Sequence, residues 1–192
     1  MNAAALLDGH VGELTDGAEF TTHGRTITEA DLTSFSALTG DWHPQHSDAE
    51  WAARSRFSGR VAHGMLVLSY AVGLMPFDPE RVVALRGLES ATFKRAVAIG
   101  DTIRVRCRVE STRPLDDRNS LVTLALRVVN QHGRTVALAG MNAVCREEED
   151  RSIEKPVVRA TNDADRGAPG ANDSSGPWAE DVLSLYGGEA YL

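Results

Sequence analysis

The eleven residues from Met65 to Met75 contain no charged side chain, and a glycine, Gly64, stands directly before them. A helix that is apolar on every side has no face to offer water, so the rest of the chain is expected to wrap it. Extended to Phe77, the run is interrupted by Ser69, Gly73 and Pro76. It is also well short of the ~20 apolar residues that a bilayer crossing needs. The segments downstream of it can supply the wrapping. Residues Val82–Leu88, Ala91–Lys94, Thr102–Glu110, Leu121–Asn130 and Thr135–Val144 are rich in Val, Leu, Ile and Thr. Ile103-Arg104-Val105-Arg106-Cys107-Arg108-Val109 alternates apolar with polar, the mark of a strand with one buried face. Gly100-Asp101 and His132-Gly133 supply turns. An early helix, a buried helix and then a run of antiparallel strands predict an α+β fold in which one sheet encloses one central helix.

Upstream, Thr28 is a predicted N-cap with Asp31 three residues later, and Leu32, Phe35 and Leu38 keep helical spacing up to a stop at Gly40. Residues 41–48 read as a polar loop, followed by a short helical stretch at Ala49–Arg54. One domain is expected over residues 1–146, because a chain of 192 residues with 42% apolar content supports one ordinary core. Beyond Arg146 the composition turns to Glu, Asp, Asn, Gly, Ser and Pro. Residues 147–192 hold 11 acidic and 4 basic residues and so carry the whole net charge of −7. A flexible acidic tail is expected there, with a short helix at 177–187 between Pro177 and the Gly187-Gly188 stop. The body is electrically balanced, which gives no reason to expect nucleic acid. MNAAALLDGH lacks the basic start and apolar core of an export signal, so a cytoplasmic protein without a membrane segment is expected. Cys107 and Cys145 lie in alternating apolar stretches without a CxxC or Cys/His neighbour, and read as small buried hydrophobes.

Three of the six histidines fall in two short clusters, Asp41-Trp42-His43-Pro44-Gln45-His46 and Ala62-His63-Gly64-Met65-Leu66. Pro44 fixes its own φ and restricts His43, which stiffens the first cluster. A stiff loop can hold Asp41 and His46 on either side of one water, and a carboxylate and an imidazole sharing a water make a general acid–base pair near neutral pH. In the second cluster, the first N–H groups of a helix starting at Gly64 lack intrahelical partners and suit a carbonyl oxygen gaining negative charge. His63 reads first as a structural residue holding the loop before that helix. Asp41, His43, His46 and Asp48 also mix imidazole and carboxylate at short spacing. With no HExxH or CxxC elsewhere, no metal is expected.

These motifs resemble the hydratase signature of the MaoC-like family, in which D-x-N-P-x-H is followed by A-H-G-M. Phe35-x-x-Leu38-Thr39-Gly40, Phe93-Lys94-Arg95 and Gly100-Asp101-Thr102 are also similar to the family, and the resemblance runs over roughly residues 20–146. It implies a hot-dog fold, an antiparallel sheet around a long helix, paired as a homodimer. It further implies reversible addition of water to a trans-2-enoyl thioester, of CoA or of an acyl carrier protein, to give a 3-hydroxyacyl product of (R) configuration. In that reading Asp41 and His46 activate the water and deliver a proton to C2. The Gly64 N–H polarises the thioester carbonyl, and no cofactor is required. His43, His63, Met65 and Ser69 are placed on the substrate side. Lys94 and Arg95 either meet the phosphates of CoA or are solvated strand-end charges. The sequence departs from the family at His43, where Asn is commoner, and at Ala96, where Pro is usual. That leaves pKa and substrate preference open. Two other readings stand beside this one: a dehydratase of branched or dicarboxylic C4–C5 acyl-CoA, and a non-catalytic acyl-thioester-binding subunit.

Overall fold

A computed structural model describes residues 16–146, and every structural statement concerns these residues. The expected acidic tail and its short helix lie outside the described residues. The first helix, α1 (Glu29–Thr39), begins as its sequence directs: Thr28 Oγ1 accepts from the Asp31 N–H while Asp31 Oδ2 accepts from the Thr28 N–H at 2.7 Å. It ends at Gly40, whose φ of 76° lets its N–H donate back to the Ser36 carbonyl. Leu32 and Ser36 face inward, whereas Leu38 is 83% exposed and not part of the apolar face that its spacing suggests.

The predicted loop 41–48 contains a single turn, α2 (Pro44–Ser47), with Pro44 in its first turn and His43 Nδ1 accepting from the Gln45 N–H at 3.2 Å. Four residues are too few for a periodic signal, so the sequence pattern does not reveal this turn. The next helix, α3 (Ala49–Ala53), is capped by Asp48, whose carboxylate accepts from the Trp51 N–H.

The apolar helix α4 spans Gly64–Gly73 and stops short of Leu74 and Met75. Leu66, Val67, Leu68 and Ala71 are buried, but Met65, Ser69 and Gly73, spaced along one side, are exposed. The expectation of a long helix covered all round therefore needs correcting: the sheet encloses one side of a three-turn helix, and a strip stays open. The first and fourth helices are tied together by Asp31, which accepts from Tyr70 Oη at 2.6 Å and from Arg25 at 3.1 Å, with the Arg25 guanidinium over the Tyr70 ring. Burial alone would raise the Asp31 carboxyl, but these bonds and those from Thr28 outweigh it and hold the carboxyl at about 2.

Six antiparallel strands follow the order β1 (Glu19–Thr21), β4 (Thr102–Pro114), β5 (Asn119–Val129), β6 (Thr135–Arg146) and β3 (Val82–Phe93), with β2 (Arg25–Thr26) also paired to β4. In β4, Ile103, Val105, Cys107 and Val109 are buried and Arg104, Arg106, Arg108 and Glu110 are exposed, as the alternation predicts. Their inner face meets Leu66, Val67 and Ala71 of α4, together with Leu124, Leu126 and Met141, in one core. Each fully buried aliphatic side chain there contributes roughly 1.5–3 kcal/mol relative to exposure. The two segments predicted at 82–94 are one edge strand, β3, broken by three register shifts. It leaves Val83, Leu85, Leu88 and Phe93 exposed. None of the helices among the described residues is long and apolar enough to cross a membrane.

Candidate active site

The turn α2 is clamped to the segment before α4 in both directions. The Val61 N–H donates to the Gln45 carbonyl at 3.1 Å, and His46 Nδ1 lies 2.7 Å from the Val61 carbonyl. A carbonyl only accepts, so Nδ1 carries the proton and Nε2 presents a lone pair, which accepts from Gln45 Nε2 at 3.0 Å. His46 is buried. The desolvation this imposes, more than any neighbouring charge, holds its pKa below 6.5, with His63 and His43 acting in the same direction and the Val61 bond and Asp41 opposing it. The imidazole is therefore neutral at pH 7 and available as a base.

Asp41 Oδ2 lies 4.0 Å from His46 Nε2. That is too long for a direct hydrogen bond and suits a bridging water. The other carboxylate oxygen accepts from the His43 N–H at 3.2 Å, which fixes the carboxylate to its own loop. Its side chain is about half exposed, so a water can reach the pair from outside. At Gly64 the first turn of α4 has no side-chain cap, and its N–H groups are free to meet an oxygen. A Cβ on Gly64 would stand 2.9 Å from the Phe93 ring, so any larger residue there would have to displace that ring.

Two cavities meet at His46, Gly64 and Phe93. The smaller, about 340 Å³, holds Asp41, His63, Met65 and Phe35. The larger, about 590 Å³, is apolar inside at Val67, Val97 and Val136 and carries Arg56, Lys94 and Arg95. A third depression of about 690 Å³ lies on the outer sheet face between Arg106 and Arg127, away from every motif. Volume alone does not mark the site; the convergence of acid, base and backbone donors does.

The structure thus gathers Asp41, His46, Gly64, His63 and Met65 around one space and places Lys94 and Arg95 beside it. Arg95 also donates to the Thr135 carbonyl at 2.7 Å. His43 lines neither cavity; it caps α2 and packs edge-on against Trp51. Ser69 donates to the Met65 carbonyl on the exposed side of α4 and also lines neither. No sequence signal points to Arg56, which lies in an aperiodic stretch. Phe93 stands out in the sequence only as part of a motif, not as the ring packed on Gly64.

Asp41, His46 and His63 offer ligand atoms within 4.8 Å of one another, a spacing found in metal sites. The donor geometry does not suit one. The His46 and His63 rings are stacked at 3.7 Å with planes 25° apart, so their in-plane lone pairs run side by side rather than converging on one ion.

Known proteins resemble this chain in sequence and in fold. The family described as MaoC like domain matches residues 13–131. Protein MaoC of Klebsiella aerogenes is 42% identical over 95 residues, 49% of this chain but only 28% of that protein, so the chain spans well under a third of that relative. An (R)-specific enoyl-CoA hydratase of Aeromonas caviae is 33% identical over 104 residues, 54% of this chain and 75% of the relative. Among solved structures, a monoamine oxidase regulatory protein from Archaeoglobus superposes with a TM-score of 0.68 at 34% identity, covering 73% of this chain and 96% of its own. The fold is that of a Mycobacterium tuberculosis protein described as a double hot-dog, which is 23% identical with a TM-score of 0.66 over 85% of this chain and 52% of that one. The match over most of the described residues, together with the ordered motifs and this sheet-on-helix fold, makes the chain a member of the MaoC-like family of hot-dog domains.

Proposed function

We propose that this chain is an acyl-thioester hydratase/dehydratase that adds water reversibly to a trans-2-enoyl-CoA. The observation that carries this reading is the Asp41 carboxylate 4.0 Å from the unprotonated Nε2 of a buried, neutral His46, where a substrate water replaces the Gln45 amide as donor, beside the uncapped Gly64 N–H. A water between the two gives a proton to the pair as its oxygen bonds to C3. The C2–C3 π electrons move toward C1, and negative charge gathers on the thioester oxygen, where the Gly64 N–H donates to it. A proton returned from the pair to C2 completes the 3-hydroxyacyl product, so each atom of water ends on the substrate. The reverse sequence is dehydration.

The (R) configuration and the CoA carrier are taken from the Aeromonas caviae relative, which is named for both. A carrier-protein thioester is the competing substrate, since a mitochondrial Arabidopsis thaliana dehydratase acting on the acyl carrier protein is 26% identical over 116 residues. Arg56, Lys94 and Arg95 suit the phosphates of either carrier. The working form is proposed to be a homodimer. The edge strand β3 leaves Val83, Leu85 and Leu88 in solvent, and Met65 and Phe93 are about half exposed beside it.

Hydration of crotonyl-CoA removes the conjugated absorbance of the enoyl thioester. The expected result is loss of that band with the wild-type chain and almost none with Asp41→Asn or His46→Ala. Wild-type inactivity on short, long and branched enoyl-CoA and on carrier-protein thioesters alike would leave the chain as a thioester-binding subunit.

A further inference from the structure

The hydration mechanism makes no use of His63, yet this residue is 2% exposed and lies against both members of the acid–base pair. Its Nε2 lies 3.1 Å from the Asp41 carbonyl and 3.1 Å from Ser36 Oγ. Because the carbonyl only accepts, Nε2 carries the proton, and Nδ1 is left buried with no hydrogen-bond partner. An uncompensated ring nitrogen costs free energy. A core residue of similar shape would avoid that cost but would leave the Asp41 carbonyl without this donor. That N–H joins the start of α4 to the one peptide whose side chain is the catalytic carboxylate. The opposite constraint comes from the ring face, stacked on His46 at 3.7 Å, with Phe35 behind it at 5.0 Å. One side chain thus touches the backbone of the acid and the ring of the base.

We propose that His63 is a positioning residue whose Nε2–H on the Asp41 carbonyl and ring face on His46 together set the gap between carboxylate and imidazole that one water fills. This rests on the hydratase reading for its consequence but not for its test. The groups facing His46 are Asp41 and His43 from the preceding loop, Gln45 beside it, His63 from the start of α4, and Arg56, Lys94 and Arg95 across the larger cavity. Among these, only Asp41 is anionic, so its charge is the one that favours the imidazolium.

Two variants separate the roles. His63→Phe keeps a ring on His46 and removes the N–H; His63→Gln keeps an N–H near the Nε2 position and removes the ring. On crotonyl-CoA, the Phe variant is expected to lose about 100-fold in kcat with KM changed less than threefold, the size of effect that an ångström of misplacement produces. The Gln variant is expected to turn over about tenfold faster than the Phe variant. The activity-independent arm follows the His46 ring by NMR as pH is varied, with and without Asp41→Asn. With His63 in place, Asp41→Asn is expected to lower the His46 titration midpoint. In the Phe background that lowering is expected to shrink to less than half, and in the Gln background, which keeps the N–H but lacks the ring, to shrink by less. Equal midpoint lowering in all three backgrounds would overturn the proposal whatever the activity, and so would loss of kcat that simply tracks melting temperature. His63→Leu serves in the same comparison if the Phe variant does not fold. Should the chain hydrate nothing, the titration arm still decides the positioning role while the hydratase reading fails alone.

Discussion

The strand pair β4–β5 and the stretch from Asp41 to Gly64 are assembled on opposite rules. In β4 every second side chain enters the same core, so Ile103, Val105 and Val109 do similar work and their neighbours share the load. Between Asp41 and Gly64 hardly two residues have the same partner: His43 caps a turn, His46 holds Val61, His63 holds Asp41, and Gly64 admits Phe93. Stability is thus spread over interchangeable groups, whereas chemistry depends on individual ones. Substitutions should therefore separate the two properties cleanly.

The largest effect is expected where the comparison is sharpest. Asp41→Asn should lower turnover about 10²–10⁴-fold, the range for loss of a general acid–base group. The melting temperature should stay within a few degrees, because Asn preserves an acceptor for the His43 N–H. A parallel loss of stability, read by circular dichroism, would mean that the carboxylate is a fold element after all. The converse holds in the sheet. Met141→Ala removes a fully buried side chain and should cost about 2–5 kcal/mol in a denaturant titration, while turnover per folded molecule is unchanged.

Dimerisation tests whether the edge strand belongs with the sheet or with the site. Leu85→Lys, on the exposed side of β3, is expected to shift the chain toward monomer in sedimentation velocity. A dimer of wild-type strength would move the interface elsewhere.

Two smaller effects concern protons. The acid limb of kcat/KM should fall below pH 6.5, since burial depresses the His46 pKa and the base is lost only once pH drops through it. A limb above 6.5 would contradict the neutral buried imidazole. The Asp31 carboxyl, held at about 2, contributes stability that is present above its unfolded pKa and lost as pH falls from about 4 toward 2. Thr28→Ala, which removes one of its bonds and the N-cap, should cost about 1 kcal/mol at pH 7 in the same denaturant assay.

Much of this architecture is legible in the chain. The capping pair Thr28 and Asp31, the Gly40 stop and the alternation of β4 are short-range patterns, set by neighbours three or four residues away or by a period of two. The structure reproduces them closely. Leu38 shows the limit: its spacing is helical and apolar, yet among the described residues no other element lies over it, and it is 83% exposed. Likewise the start of α4 at Gly64 can be read from the chain, but nothing in that helix's own sequence says that one strip stays uncovered.

Local pattern alone sets the class of fold, the order of its elements and the two short motifs, because hydrophobic period and capping act over a few residues. Three meetings depend instead on tertiary packing. His63 stacks on His46 and bonds Asp41, Phe93 comes from the far end of β3 to rest on Gly64, and Arg56 joins Lys94 and Arg95 on one cavity. These segments are distant in the chain, and their approach is fixed by how the sheet curls on the helix. A linear pattern carries no term for that distance.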